Sequence, residues 1–265
     1  MTFVSGSCNV DVRGLRVLVT AGASGIGRAI AEAFVAAGAH VHISDIAEDA
    51  VGEAVSTVSG LTGSTGDASD PRNADQIFRD IVARFDGLDV LVNNVGIPGP
   101  TGGIDAFADA DVERTIDVNL KSHFYTLNRC VPLLKTSKNN ASIVGLSSVA
   151  GRIGYGYRTP YAATKWAIVG LIKSLAIELG PNGIRANAIL PGAVKGARMD
   201  RVIADRAATL GMSFEDMLQT YLSQISLRRM IEAEDVANLA LFLSSNLARN
   251  ISGQAISVDG NFEGI

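Results

Sequence analysis

Short apolar runs alternate with amphipathic stretches along almost the whole chain. Arg16–Thr20, His40–Ser44, Leu88–Asn93, Ala141–Ser147, Ile184–Leu190 and Ala255–Val258 read as buried strands. Leu61–Gly66 is a poor strand by composition but occupies a strand's place. Between them, Gly25–Ala37, Ala47–Val58, Pro71 to about Phe85, Asp109–Leu134, Thr159–Leu179 and Glu232–Leu243 carry apolar residues at helical spacing. Ser69-Asp70-Pro71 supplies an N-cap and a proline for the first helical position, and Thr159-Pro160 reads as a second cap. This β-α-β-α rhythm predicts a parallel sheet with helices on both faces, a three-layer αβα arrangement. No internal repeat or linker interrupts it. A single domain is expected over 15–265, after a loose N-terminal extension at 1–14. The one composition shift is Gly192–Arg228, rich in Arg, Met and Ala, which is expected to form a substrate lid around 193–228.

Composition narrows the classes. The chain has 265 residues, 47% hydrophobic, with a net charge of −4. That is enough to bury one large α/β core. The mild acidity argues against nucleic acid as a partner, because phosphate binding needs a basic face. The apolar runs are strand-length, well short of the ~20 residues that span a bilayer, so no membrane partner is expected. The first residues lack the basic start and apolar core of a signal peptide. Two cysteines, Cys8 and Cys130, make no disulfide framework, and a reducing cytoplasm is the expected compartment. No Cys/His cluster has metal-ligand spacing, and His40, His42 and His123 read as satisfied or exposed histidines rather than ligands.

Two local patterns carry chemistry. The first is Thr20-Ala21-Gly22-Ala23-Ser24-Gly25-Ile26-Gly27, between the first strand and the first helix. Glycines there let backbone N–H groups approach a pyrophosphate at the helix's positive end. Asp45 ends the second strand and Ile46 follows it. A carboxylate at that place accepts hydrogen bonds from an adenosine ribose and repels a 2′-phosphate. Capping the next helix is its other reading. The second pattern is Tyr161 and Lys165, four residues apart and on one helix face, with Ser148 thirteen residues before the tyrosine. A cation beside a phenol favours the phenolate and makes tyrosine a usable acid/base nearer neutral pH.

In this company the residues resemble the short-chain dehydrogenase/reductase family, from about Leu15 to Gly260. The glycine turn is similar to that family's TGxxxGxG, except that Ala21 stands where the first glycine is expected. Asp67-Ala68 resembles the aspartate segment at the adenine. Asn93-Asn94-Val95-Gly96 resembles NNAG. Asn119 matches the helix asparagine that positions a water, and Ser148, Tyr161 and Lys165 match the catalytic serine, tyrosine and lysine. Pro191-Gly192, with Val194 beyond it, matches the turn over the nicotinamide, but Gly196 stands where a threonine is common. Ile251–Gln254 and Val258–Gly260 are similar to the C-terminal signature.

The resemblance implies a doubly wound Rossmann fold, NAD as cofactor and hydride exchange with a secondary alcohol or ketone. It also implies a homotetramer. Pro98, Arg152, Tyr155, Arg158 and Arg198 are the candidates for holding a small polar substrate: a polyol, a sugar, or a hydroxy acid or sulfonate. A 3-oxoacyl-carrier-protein reductase is the alternative within the fold. A non-catalytic nucleotide-sensing protein is the alternative outside it.

Overall fold

The structure, a computed structural model, describes residues 10–263. Cys8 and most of the expected N-terminal extension lie outside the described residues. Seven strands form: β1 Arg16–Thr20, β2 His40–Asp45, β3 Leu61–Thr65, β4 Val90–Asn93, β5 Ser142–Leu146, β6 Arg185–Pro191 and β7 Ala255–Val258. They make one wholly parallel sheet in the order β3-β2-β1-β4-β5-β6-β7. The helices are α1 Gly25–Ala36, α2 Glu48–Thr57, α3 Pro71–Phe85, α4 Asp109–Ile116, α5 Ser122–Lys135, α6 Thr159–Leu179, α7 Ala197–Leu210, α8 Phe214–Gln224 and α9 Ala233–Ser244.

The two-residue alternation of the strands splits the core into two layers. Val17, Val19, Val90 and Val92 pack on one face with Ile30 and Phe34 of α1, Ala54 of α2, and Val236 and Ala240 of α9. Leu18 and Leu91 point the other way, against Ile77 and Ile81 of α3, Leu127 and Leu134 of α5, and Ile168 and Ile172 of α6. This is the doubly wound fold expected from the rhythm. The chain winds outward from β1 to β3, then returns to place β4 beside β1. A crevice opens at that reversal, beyond the carboxyl ends of the strands.

Several details differ from the sequence reading. Val12, inside the supposed loose extension, is buried in the α1/α9 layer. The long helical region is α4 and α5 joined by a π-helical turn at Asp117–Lys121, and such turns often sit at functional sites. Thr159 is the first residue of α6 rather than its cap. Arg158 precedes it and makes no side-chain cap bond. The 192–228 region is two helices with their own small core, where Ile203, Ala207, Met217 and Tyr221 pack with Phe262.

His42 and His123 are core residues. His42 bonds Thr62 and Ser64, each at 2.8 Å, and His123 bonds the Val95 carbonyl at 3.1 Å. Burial holds their pKa values down at about 4 and about 3. Burial also pushes the Cys130 thiol up to about 12. Among the described residues no helix is long and apolar enough to cross a membrane, and no group of side chains is placed to hold a metal.

Candidate active site

The crevice is one cavity of about 610 Å³, running from Asp45 and Asp67 to the α7–α8 region. Its adenosine end is built by the first turn. Gly27 is required there: a Cβ would fall 2.0 Å from the Ala21 carbonyl oxygen. Ala21 itself adopts the left-handed region, with φ of 49°. That conformation costs an alanine about 1 kcal/mol relative to glycine. Asn94 holds the strained turn, its Nδ2 donating to the carbonyls of Thr20 and Ala21 at 3.1 and 3.0 Å. Ser24 makes no side-chain cap bond, so the first N–H groups of α1 remain available to a phosphate.

Asp45 does two things. Its Oδ2 accepts from the Ala23 N–H at 3.1 Å, pinning the turn, and its Oδ1 accepts from the Ala47 N–H at 3.2 Å. Asp45 also lines the cavity, but it does not cap α2, whose N-cap is Ala47 without a side-chain cap bond. Ile46 beside it is 60% exposed, an apolar face left open at the cavity wall where a purine would lie. Arg28 is engaged elsewhere, with Glu32 and with Thr57 at 2.8 Å. Asp67 is occupied by Ser69 and by Arg114 at 3.0 Å.

The catalytic end depends on how closely α6 sits on β5. Gly145 faces α6, where a Cβ would meet Ile172 at 2.8 Å. Gly151 faces the backbone of Lys165, where a Cβ would fall 2.7 Å from the carbonyl oxygen, and Ser147 Oγ donates to that same oxygen at 2.7 Å. These contacts fix the first turns of α6. They bring Tyr161 beside Ser148, which helps to lower the phenol's pKa. Ser148 Oγ also accepts from Ala150 N–H at 3.2 Å, so it caps the following turn as well. Lys165 is buried, and its Nζ donates to the Leu146 carbonyl at 2.9 Å. Gly96 leaves room for it: a Cβ there would lie 3.2 Å from Nζ.

Burial by itself would raise the Tyr161 pKa. Lys165, Arg198, Arg158 and, least, Ser148 outweigh it and bring the phenol down to about 8. Roughly a tenth of the phenol is then ionised at pH 7. Burial likewise lowers Lys165 to about 8, with the phenolate opposing that shift. The two groups titrate as a pair.

Asn119 is fully buried and its side chain is in full use. Oδ1 accepts from Ile97 N–H at 2.7 Å, and Nδ2 donates to the Ile97 carbonyl at 3.0 Å and to Thr164 Oγ1 at 3.2 Å. Its side chain thus staples Ile97 to Thr164 of α6.

Of the other residues singled out in the sequence, Ser24, Gly25, Ile26, Ala68, Val95, Pro191, Gly192 and Val194 line the cavity. Thr20 does not; it is buried beneath the turn, where its Oγ1 accepts from Asn94 N–H at 2.9 Å. Gly22 also lies off the cavity, packed so close to Ile43 that a Cβ would sit 2.6 Å away. Tyr155, Arg158 and Arg198 reach the cavity, whereas Arg152 turns away to pair with Asp259 at 2.7 Å. Pro98 contributes only its carbonyl, which accepts from Arg158. Sequence patterns did not single out Tyr221, Phe262, Met199 or Val202 as wall residues. They come from α7, α8 and the C-terminal tail, and nothing in their spacing signals convergence.

Comparison with known proteins agrees with this arrangement. Residues 20–263 match a family model described as enoyl-(acyl carrier protein) reductase. A D-beta-hydroxybutyrate dehydrogenase from Rhizobium meliloti is 32% identical over 252 residues, covering 92% of this chain and 97% of that protein. A 3-oxoacyl-acyl-carrier-protein reductase from Thermotoga maritima is 33% identical, covering 92% and 95%. The crystal structure of L-sorbose reductase from Gluconobacter frateurii, complexed with NADPH and L-sorbose, superposes with a TM-score of 0.87 at 26% identity, over 96% of this chain and 98% of that one. The fold, the Ser148–Tyr161–Lys165 geometry and these matches together place the chain in the short-chain dehydrogenase/reductase family.

Proposed function

We propose that this oxidoreductase is NAD(H)-dependent and acts on the secondary alcohol or ketone of a small polar substrate. The observation that carries the reaction class is Tyr161, close to Ser148 and flanked by Lys165, with its phenol brought to about 8. The bound nicotinamide supplies hydride acceptance or donation. Tyr161 takes the hydroxyl proton in oxidation and returns it in reduction. Ser148 donates to the substrate oxygen as charge develops there. Lys165 stabilises the phenolate and presents its remaining protons to the cofactor ribose. The backbone N–H groups at the start of α1 hold the pyrophosphate.

The choice of NAD rests on Asp45. Its carboxylate faces the cavity where an adenosine ribose would end, and the nearest turn cation, Arg28, is tied to Glu32 and Thr57. The L-sorbose reductase neighbour was crystallised with NADPH, so cofactor choice within this fold is set by such local residues. The hydroxybutyrate dehydrogenase relative supports a small polar alcohol as substrate. The Thermotoga reductase supports a carrier-bound acyl chain, against which the Asp45-Ile46 pair speaks. A panel of polyols, sugars, hydroxy acids and acetoacetyl-coenzyme A, assayed with NAD(H) and NADP(H) by absorbance of the reduced cofactor, tests the proposal. Turnover of a small alcohol with NAD is expected. Turnover of the thioester alone, with NADPH, would replace this reading by the carrier-protein one.

The assembly belongs to the same proposal. Phe124 of α5 and Trp166 and Ile177 of α6 are large apolar residues left exposed, and β7 is an open sheet edge. Such surfaces are normally covered by a partner. Light scattering is expected to give four times the 27.7 kDa chain mass. A stable monomer at micromolar concentration would refute the tetramer.

A further inference from the structure

We infer that the substrate is an anion: a short hydroxy or oxo acid whose carboxylate is held by Arg158. This deepens the function proposed above and rests on it. Arg158 immediately precedes α6, three residues before Tyr161, and is only 5% exposed. Its Cζ lies 4.4 Å from the centre of the Tyr161 ring and 5.3 Å from that of Tyr155. Among the described residues only one of its side-chain nitrogens has a protein partner: Nη2 donates to the Pro98 carbonyl at 2.7 Å. Nε is buried with none. Among the described residues no carboxylate pairs with Arg158 or with Arg198, although both line the cavity.

A buried guanidinium without a counter-charge is costly, and a ligand's carboxylate at the cavity would offset that cost. The protein as a whole is acidic, so a cationic pocket is not a consequence of composition. The cavity's only carboxylates, Asp45 and Asp67, belong to its adenosine end, while Arg158, Lys165, Lys195 and Arg198 line the remainder. The cofactor's phosphates do not account for Arg158. They are claimed by the start of α1, whereas Arg158 packs on the catalytic tyrosine and on Pro98. A second buried guanidinium, Arg206 of α7, stands behind the same wall. Its Cζ is 5.3 Å from the Tyr155 ring and 5.8 Å from the Tyr221 ring, and its Nε and Nη1 have no partner. The Tyr155 and Tyr221 hydroxyls bond each other at 2.7 Å, which engages one of their two O–H donors. Beside Tyr161 the cavity holds two planar, fork-shaped donors, Arg158 and Arg198, the latter also donating to the Gly96 carbonyl at 3.0 Å, and apolar walls from Val149 and Phe262. That suits a carboxylate on a short carbon skeleton.

The test compares hydroxy acids of two to six carbons with their neutral amides as substrates, using NAD and the wild-type protein, Arg158→Met and Arg158→Lys. A hydroxysulfonate serves as a second anion. The wild type is expected to favour acid over amide by about 10- to 100-fold in kcat/KM. That ratio is expected to fall close to one in Arg158→Met and to stay partly intact in Arg158→Lys. The ratio cancels any change that the substitution makes to the Tyr161 ionisation. Retained NADH fluorescence on binding shows that each variant is folded. Equal use of acid and amide by the wild type, or a ratio that survives Arg158→Met, overturns the inference while leaving the dehydrogenase reading intact. If no compound in the panel turns over with either cofactor, the functional reading fails. The inference is then decided by calorimetry of butyrate with the NADH complex: binding that Arg158→Met abolishes supports it, and no binding at millimolar butyrate overturns it.

Discussion

Tyr161→Phe is expected to bind NADH as the wild type does and to lose turnover by roughly 10³-fold, the usual scale for removing a general acid or base. That corresponds to about 4 kcal/mol of barrier. The substitution deletes one hydroxyl and keeps the ring that Arg158 and Lys165 pack against. Lys165→Ala is expected to lose both turnover and cofactor affinity. Lys165 lies beside the phenol and the ribose site together, and its Nζ is also bonded to Leu146. Stopped-flow binding of NADH alongside steady-state kinetics separates the two variants. Wild-type turnover in Tyr161→Phe, with chemistry rate-limiting, would remove the tyrosine from the mechanism.

The second large effect concerns the cofactor. The wild type is expected to prefer NAD over NADP by about a hundredfold or more in kcat/KM. The Asp45 carboxylate gains bonds from ribose hydroxyls and is repelled by a 2′-phosphate, and the two effects together amount to several kcal/mol. Asp45→Ser combined with Ile46→Arg is expected to reverse the preference. The geometry adds a condition, because Asp45 also accepts from Ala23 and Ala47. Serine keeps a hydroxyl that can accept one of these bonds, whereas alanine keeps none, so Asp45→Ala is expected to weaken binding of both cofactors. Equal kcat/KM values for NAD and NADP in the wild type would show that Asp45 serves only its bonds to Ala23 and Ala47.

The fold was legible because its central strands are buried on both faces and most of its helices on one. Continuous apolar runs and helical spacing therefore alternate visibly, and α6 was placed at Thr159–Leu179 as found. The catalytic residues were legible because four-residue helical spacing fixes Tyr161 and Lys165 on one face. Three kinds of fact were hidden. The first was the direction of a side chain: Arg152 and Arg158 look alike in sequence, yet one pairs with Asp259 and the other enters the cavity. The second was support from beneath. Thr20 and Gly22 belong to the glycine motif but serve by packing under the turn. The third was long-range convergence, as when Tyr221 and Phe262 meet at the wall beside Val149. The sequence also suggested a phenol tuned close to neutrality. Burial resists that, and the value stays at about 8.

The pH dependence of catalysis tests the central claim most directly. If Tyr161 is the base, kcat/KM for alcohol oxidation with NAD rises with pH through an apparent ionisation near 8 and then levels as the phenolate becomes the main form. Reduction, which needs the protonated phenol, falls through the same point. An ultraviolet difference titration of wild type against Tyr161→Phe should show one phenolate appearing at that pH. A phenol that titrates near its ordinary value of 10, with a rate profile that ignores it, would contradict the account.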